Sequence, residues 1–222
     1  MVRGQAARWV WILCVAFVGL TLAAMGFYPG STFVNPHTRG YLWFENFFSD
    51  LGMTRTWGGA PNTTAMLLFV VALMCAGGGL ILFFRGLAQR FARARLARIG
   101  SACGVLAGVC FFAIALTPQD VFSDAHDMFS VAAFAFLLCA ALAYARVLWN
   151  DAGYTRRFAL VFALLALLIC SYIVLFLAGP PLASRAGIVV QATGQKIIVY
   201  ATIVSLGIVS FGMSRFKEHM PP

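Results

Sequence analysis

The stretch TTAMLLFVVALMCAGGGLILFF, residues 63–84, decides the fold, because it is apolar and contains no charged residue. A helix needs about 20 apolar residues to cross the hydrocarbon core of a bilayer. Five further stretches meet this requirement. The predicted spans are Trp9–Phe27, Thr63–Phe84, Ile99–Leu116, His126–Leu148, Phe158–Ala178 and Gly187–Met213. The pattern predicts an all-α integral membrane bundle of six transmembrane helices, forming a single domain over residues 1–222.

The overall composition supports the same fold class. Hydrophobic residues make up 62% of the chain and charged residues 10%, whereas soluble domains carry about 25% charged residues. So apolar a chain would expose too much hydrophobic surface to water. A soluble domain is therefore excluded.

The cysteines and histidines do not form a cofactor-binding pattern. The sequence has no Cys-x-x-Cys pair and no Cys/His cluster, which argues against a disulfide framework, a zinc site and a thiol redox centre. A membrane haem needs axial histidines that face one another, and the only histidines are His37, His126 and His219. We therefore expect no cofactor and no bound metal.

The basic residues predict the orientation of the chain, since Lys and Arg collect in cytoplasmic loops. Twelve of the sixteen fall on one side of the predicted spans: Arg3, Arg8, Arg85, Arg90, Arg93, Arg95, Arg98, Arg146, Arg156, Arg157, Arg215 and Lys217. We expect both termini inside, in a bacterial plasma membrane. The net charge of +9 is then a topology signal, and we expect no nucleic-acid partner.

The acidic residues concentrate on the opposite side. Five of the seven lie at the predicted outer face: Glu45, Asp50, Asp120, Asp124 and Asp127. The first outer loop, residues 28–62, is also the longest connection. Because the positive-inside rule does not predict the placement of acidic residues, their concentration indicates a polar assembly on the outer side.

The first candidate element of this assembly is the segment YLWFENFFSDLG, residues 41–52. On a helix, Glu45, Asn46, Ser49 and Asp50 would share one face, opposite a face of aromatic and aliphatic side chains. We therefore expect a short amphipathic helix in the first outer loop. Its polar face either lines a wet cavity between the spans or meets water as an interfacial anchor.

The second candidate element is the outer connection TPQDVFSDAHD, residues 117–127. Helix capping and the helix dipole explain one of its carboxylates but hardly all three. His126 lies at the start of the fourth span, where an imidazole can exchange protons near neutral pH. The alternative is a purely structural histidine.

The third candidate element is the sequence QATGQK, residues 191–196, inside the last span. Lys196 would lie roughly 13 Å from the start of the span at 1.5 Å per residue, and a lysine at this depth is usually paired. We expect a buried ion pair with Asp50, Asp120 or Asp127. The alternative is a side chain that extends outward to the lipid headgroups.

A stripe of small residues marks the third span. Gly100, Gly104 and Gly108 recur every four residues, a spacing that lets two helices approach closely. The stripe serves packing within the bundle or the contact of a homo-oligomer.

These residues together resemble a known family. The run from Asn46 to Gly52, the later Asn62, the loop from Pro118 to His126 and the pair Gln195-Lys196 resemble the six-span prokaryotic family known as the domain of unknown function numbered 998. The resemblance covers nearly the whole chain and implies the six-span fold. In that family the late pair is usually Gln-Arg, so Lys196 keeps the charge and loses the bidentate fork of arginine.

Two more distant resemblances bear on activity. The Ser-Asp element and the Pro…Asp…His loop look like the DRAM/Frag/Sfk membrane proteins, some of which are linked to lipid remodelling. A Ser…Asp…His set is also similar to that of alkaline ceramidases, which supply three histidine ligands to a metal. Only His126 is suitably placed here, with His37 a candidate second ligand, and this departure argues against a zinc hydrolase.

The three elements converge on one outward-facing polar pocket, which leads to a functional hypothesis. The pocket would bind or modify a lipid headgroup, and membrane lipids would be the partner. The candidate catalytic residues are Ser49, Asp50 and His126, and the candidate substrate-binding residues are Asn46, Asp120, Gln195 and Lys196. The alternatives are a structural or accessory membrane subunit and a transporter or proton-coupled permease component.

Overall fold

The protein is described here from a computed structural model that covers residues 2–151, 156–182 and 184–215. Lys217 and His219 lie outside the described residues.

Six α-helices make up most of the described chain: α1 (Val2–Phe27), α2 (Thr63–Arg90), α3 (Arg95–Ala115), α4 (Ser123–Trp149), α5 (Arg156–Ala178) and α6 (Arg185–Arg215). Each of these helices is long and apolar enough to cross a membrane. The prediction of an all-α bundle of six membrane-spanning helices is confirmed. Several helices extend beyond the predicted apolar runs into arginine-bearing ends, since Arg and Ala are good helix formers.

The helices form a closed ring around the core. Each helix packs against the next in sequence, and α6 returns to contact α1. In the arginine-bearing half, Tyr144 lies between Phe84 and Phe162 with ring centroids 5.9 and 5.6 Å away. The Tyr144 hydroxyl donates to the carbonyl of Ala97 at 3.1 Å and is also hydrogen bonded to Ser101. Tyr144 of α4 therefore contacts α2, α3 and α5 in this half.

The glycine stripe of α3 packs inside this ring. Gly100, Gly104 and Gly108 are all buried. A Cβ atom on Gly104 would lie 2.1 Å from the ring of Phe84, and one on Gly108 would lie 2.7 Å from the carbonyl oxygen of Gly77. The stripe therefore has packing partners within the same chain, and a homo-oligomer contact through these glycines stays a prediction.

The outer loop departs from the amphipathic helix expected over residues 41–52. It forms a series of turns that end in one 3₁₀ turn, Ser49–Gly52. The reason is local competition for backbone N–H groups. The Asn46 side chain accepts from the N–H of Leu42 at 2.9 Å, and the Asp50 carboxylate accepts from the N–H of Phe47 at 3.0 Å. As a result Asn46 and Asp50 turn inward, while Phe44 is 59% exposed.

Candidate functional site

The outer loop carries a carboxylate into the interior at Asp50, which is 1% exposed. One carboxylate oxygen accepts from the Asn46 amide at 2.8 Å and from the N–H of Phe47, and the other accepts from the Trp57 indole at 3.1 Å. Burial raises the pKa of Asp50 to about 6, and the hydrogen bonds and the charge of Lys196 only partly oppose that rise. The carboxylate is therefore easier to protonate than an exposed one.

Asn46 is the residue around which the loop is organised. It is fully buried, and its side-chain amide donates to the carbonyl of Ser31 at 2.8 Å as well as to Asp50. Its own carbonyl accepts from the Lys196 ammonium and from the Tyr41 hydroxyl, the latter at 3.2 Å. One asparagine thus joins two parts of the outer loop to α6.

Lys196 is buried, as the sequence predicts, at 1% exposure. Its ammonium donates to the main-chain carbonyls of Asn46 and, at 3.1 Å, Ala192. Three aromatic rings surround the ammonium at centroid distances of 5.4, 5.7 and 5.9 Å: Tyr41, Trp43 and Phe48. These contacts, which we call the lysine cage, satisfy the charge in place of a carboxylate.

The prediction that Lys196 forms an ion pair with an aspartate is therefore wrong. Among the described residues Lys196 makes no ion pair with Asp50, Asp120 or Asp127. Carbonyl oxygens and aromatic faces stabilise an ammonium without burying a second charge, which carries its own desolvation penalty. Asn46 joins Asp50 to the ammonium by hydrogen bonds, and the two charges also interact at a distance longer than that of an ion pair.

Gln195 provides a second attachment between α6 and the loop. Its side-chain oxygen accepts from the N–H of Phe48 at 2.7 Å. The Tyr172 hydroxyl of α5 interacts with the same side chain. Gln195 and Lys196 are adjacent in α6, and both bind the outer loop. This agrees with the prediction that the QATGQK segment and the Ser-Asp segment converge.

A cavity of about 340 Å³ lies beside this loop, between the outer ends of α4, α5 and α6. Of the predicted site residues, Ser49, His126 and Gln195 line it, and Asn46, Asp50 and Lys196 do not. The other lining residues are Phe33, Phe47, Trp57, Gln119, Asp127, Ser130, Val131, Phe134, Tyr172, Ile173, Phe176, Leu177, Leu182 and Gln191. The cavity thus combines polar groups with an apolar wall.

His126 has a defined orientation at the cavity wall. It is 6% exposed, and its Nδ1 lies 2.7 Å from the carbonyl oxygen of Thr117. A carbonyl only accepts, so Nδ1 carries the proton, and in the neutral ring Nε2 is then an acceptor. Nε2 is thus the ring nitrogen left for a bound molecule.

Ser49, Asp50 and His126 are not joined as a hydrogen-bonded triad. The Ser49 hydroxyl makes no hydrogen bond to another described residue, and the Asp50 oxygens are bound to Asn46, Phe47 and Trp57. Ser49 and His126 nevertheless share the cavity. Their assignment as catalytic residues stays a prediction.

Asp120 lies away from the cavity and joins the two outer connections. Its carboxylate accepts from the Thr54 N–H at 2.9 and 3.0 Å, from the Thr54 hydroxyl and from the Arg55 N–H at 3.0 Å. Partial burial tends to raise the pKa of Asp120, but these hydrogen bonds outweigh it and lower the pKa below its ordinary value. Asp120 holds the two connections together in this structure, and its assignment as a substrate-binding residue stays a prediction.

The sequence reasoning did not identify several cavity residues as site residues, among them Trp57, Ser130 and Tyr172. Ser130 could have been found, because it follows His126 by four residues and so shares its helix face. Trp57 and Tyr172 carry no such signal, since single aromatic residues are common in membrane segments. Over the described ranges no three His, Cys, Asp or Glu side chains come together as a metal-ligand group.

Comparison with known proteins supports one assignment. A search of curated proteins and a search of solved structures give no match to this chain. The family model described as "Protein of unknown function (DUF998)" matches residues 34–209, a range that contains every candidate site residue. Because this match spans most of the chain and confirms the resemblance seen in the sequence, the protein belongs to the DUF998 family.

Proposed function

We propose that the protein binds or modifies a membrane lipid, whose headgroup enters the outward-facing cavity beside Ser49 and His126. We further propose that it lies in a bacterial plasma membrane with both termini in the cytoplasm, because the basic residues collect at one set of helix ends. In this arrangement the outer loop supports the cavity, and the headgroup binds inside the cavity.

The observation that carries the proposal is the division of the cavity into two kinds of wall. The loop supplies the polar group of Ser49, the start of α4 supplies His126, and α6 supplies Gln195. The opposite wall is apolar and reaches the outside of the bundle, where Phe176 is 39% and Leu177 70% exposed. Both residues belong to a membrane-spanning helix, so their exposed surface would face acyl chains.

An amphipathic cavity with an apolar lateral rim suits an amphipathic ligand. A water-soluble substrate would gain nothing from a rim that faces lipid, whereas a lipid can place its headgroup inside and leave its chains in the bilayer. Ligand sites in general combine an apolar lining with a few polar groups that fix orientation.

Binding is tested by filling the cavity. Ile173→Trp adds bulk to the cavity wall, and Leu164→Trp adds the same bulk to a side chain of α5 that is 58% exposed. After graded removal of lipid in detergent, wild type and Leu164→Trp should retain more lipid per molecule than Ile173→Trp. Equal retention by all three would refute the proposed binding site.

Modification of the lipid is tested in cells. Lipid extracts of a strain that lacks the protein should differ from wild type. His37→Ala should restore the wild-type profile, because His37 lies in the outer loop and is exposed, whereas His126→Ala should not. Full restoration by His126→Ala would exclude a chemical role for this imidazole.

A further inference from the structure

We propose that the headgroup bound in this cavity carries an ammonium group, as in phosphatidylethanolamine, with Asp127 as its counter-ion. This inference rests on the proposed function and names the class of lipid. Phosphatidylglycerol, whose headgroup is anionic and has no ammonium, would be disfavoured.

The charge of the cavity lining indicates which headgroups the cavity would bind. Asp127 is the only Asp, Glu, Lys or Arg among the described residues that line the cavity. Its carboxylate is exposed and makes no hydrogen bond or ion pair with another described residue, and His126, Asp124 and Tyr172 are the titratable groups near it. A cation that enters the cavity would therefore meet an unpaired carboxylate.

None of the described basic residues of the outer connections lines the cavity. The Arg55 guanidinium donates to the carbonyl of Gly59 at 3.0 Å, and Arg185 pairs with Glu45 at 2.5 Å. Lys196 is enclosed in the lysine cage, and Arg39 is exposed outside the cavity lining. An anionic headgroup would thus find no cation in the described lining to offset its desolvation.

The aromatic lining favours a cation for an independent reason. The rings of Phe47, Trp57, Phe134 and Tyr172 all line the cavity, and aromatic faces attract ammonium groups. The protein already holds one ammonium in this way, since Lys196 lies among three rings and two carbonyls. The aromatic residues of the cavity could contact the ammonium of a ligand in the same way as the lysine cage contacts Lys196.

The phosphate of such a headgroup would be bound by neutral donors. The Ser49 and Ser130 hydroxyls and the Gln195 amide group line the same cavity. Neutral donors suit the single negative charge of a zwitterionic headgroup, whose ammonium is paired with Asp127.

The test is a competition between two lipids with identical acyl chains. Delipidated full-length protein is incubated with equimolar phosphatidylethanolamine and phosphatidylglycerol, and the bound lipids are identified by native mass spectrometry. Wild type should be enriched in phosphatidylethanolamine on the order of fivefold. Asp127→Asn should lose this enrichment, and Asp124→Asn should keep it, because Asp124, although exposed like Asp127, lies one helical turn away and outside the lining.

Different outcomes refute the preference for an ammonium headgroup and the proposed binding of lipid. Enrichment of phosphatidylglycerol, or an enrichment that Asp127→Asn does not change, would overturn the inference while cavity-dependent retention still supports lipid binding. If neither lipid is retained, or if Ile173→Trp retains as much as wild type, the proposed function itself is refuted. Thermal unfolding of Asp127→Asn serves as the folding control, and no large loss is expected because this side chain has no partner among the described residues.

Discussion

Lys196 donates a hydrogen bond to the main-chain carbonyl of Asn46, a residue 150 positions earlier in the chain. The side chain of the same asparagine donates to the carboxylate of Asp50. The cation of α6 and the carboxylate of the outer loop are therefore joined through one residue without an ion pair between them. This connection fixes the loop that forms one wall of the cavity.

Removing the ammonium should loosen this attachment. Lys196→Met retains the unbranched shape of the side chain but removes the ammonium. The buried Asn46 carbonyl then loses its charged donor, and the lysine cage loses its cation. We expect a loss of about 1.5–3 kcal/mol in the free energy of unfolding, the usual range for a hydrogen bond to a charged group. Chemical unfolding in detergent micelles measures this loss.

The matched control is the next residue. Ile197 is 55% exposed, so Ile197→Met should leave the unfolding free energy within about 0.5 kcal/mol of wild type. If Lys196→Met were as stable as Ile197→Met, the ammonium would not hold the loop.

Asp50 should make the protein less stable as the pH rises. Its folded pKa of about 6 lies above the ordinary value of 3.8, so between these values the folded state binds more protons than the unfolded state. The contribution of Asp50 is therefore most favourable below pH 4 and falls as the pH rises to 6, by about 3 kcal/mol for a shift of roughly two units.

The measurement compares unfolding free energies of wild type and Asp50→Asn across this range. Asparagine does not titrate, so the stability of wild type relative to the variant should fall from pH 4 to pH 6. Asp124→Asn, which removes an exposed outer-face carboxylate, controls for the change in net charge. A constant difference between wild type and Asp50→Asn would contradict the assignment.

Asp120 should show the opposite pH dependence. Hydrogen bonds from Thr54 and Arg55 lower its pKa despite partial burial, so its contribution is fully present above the ordinary pKa. The contribution is lost as the pH falls through the lowered folded value. Asp120→Asn should therefore reduce stability at neutral pH, and the reduction should disappear in acid.

Hydrogen exchange locates this effect. At neutral pH the amides of Thr54 and Arg55, which donate to Asp120, should exchange faster in Asp120→Asn than in wild type. The amides of the α3 core should be unaffected. Unchanged protection at Thr54 and Arg55 would mean that the carboxylate does not hold the two connections together.

The six spans were predictable because each rests on a long run of apolar residues. A run without charge long enough to cross a bilayer has few alternatives in an apolar chain. Asn46 and Asp50 were predictable as polar members of one element because their spacing in the sequence is four residues. Their periodicity, however, predicts a helix, and this prediction is wrong in part because the Asp50 carboxylate accepts from the N–H of Phe47, which a helix would donate to the carbonyl of Trp43.

The partners of Lys196 could not be predicted from residue types. Two of its contacts are main-chain carbonyls, which every residue has, so no sequence pattern marks them. The sequence also did not indicate which of the predicted site residues line the cavity and which do not. Whether a polar residue lines the cavity, as Ser49 does, or lies behind it, as Asp50 does, depends on the course of an irregular loop.

The central claim is that a lipid occupies the cavity with its headgroup beside Ser49 and His126. The most direct measurement is photo-crosslinking with a phosphatidylethanolamine that carries a diazirine next to its headgroup, followed by mapping of the labelled residues. The account predicts labelling concentrated at Ser130–Phe134 of α4 and Tyr172–Leu177 of α5, and its loss in Ile173→Trp but not in Leu164→Trp. Labelling spread evenly over the exposed face of α5 and unchanged in Ile173→Trp would contradict it.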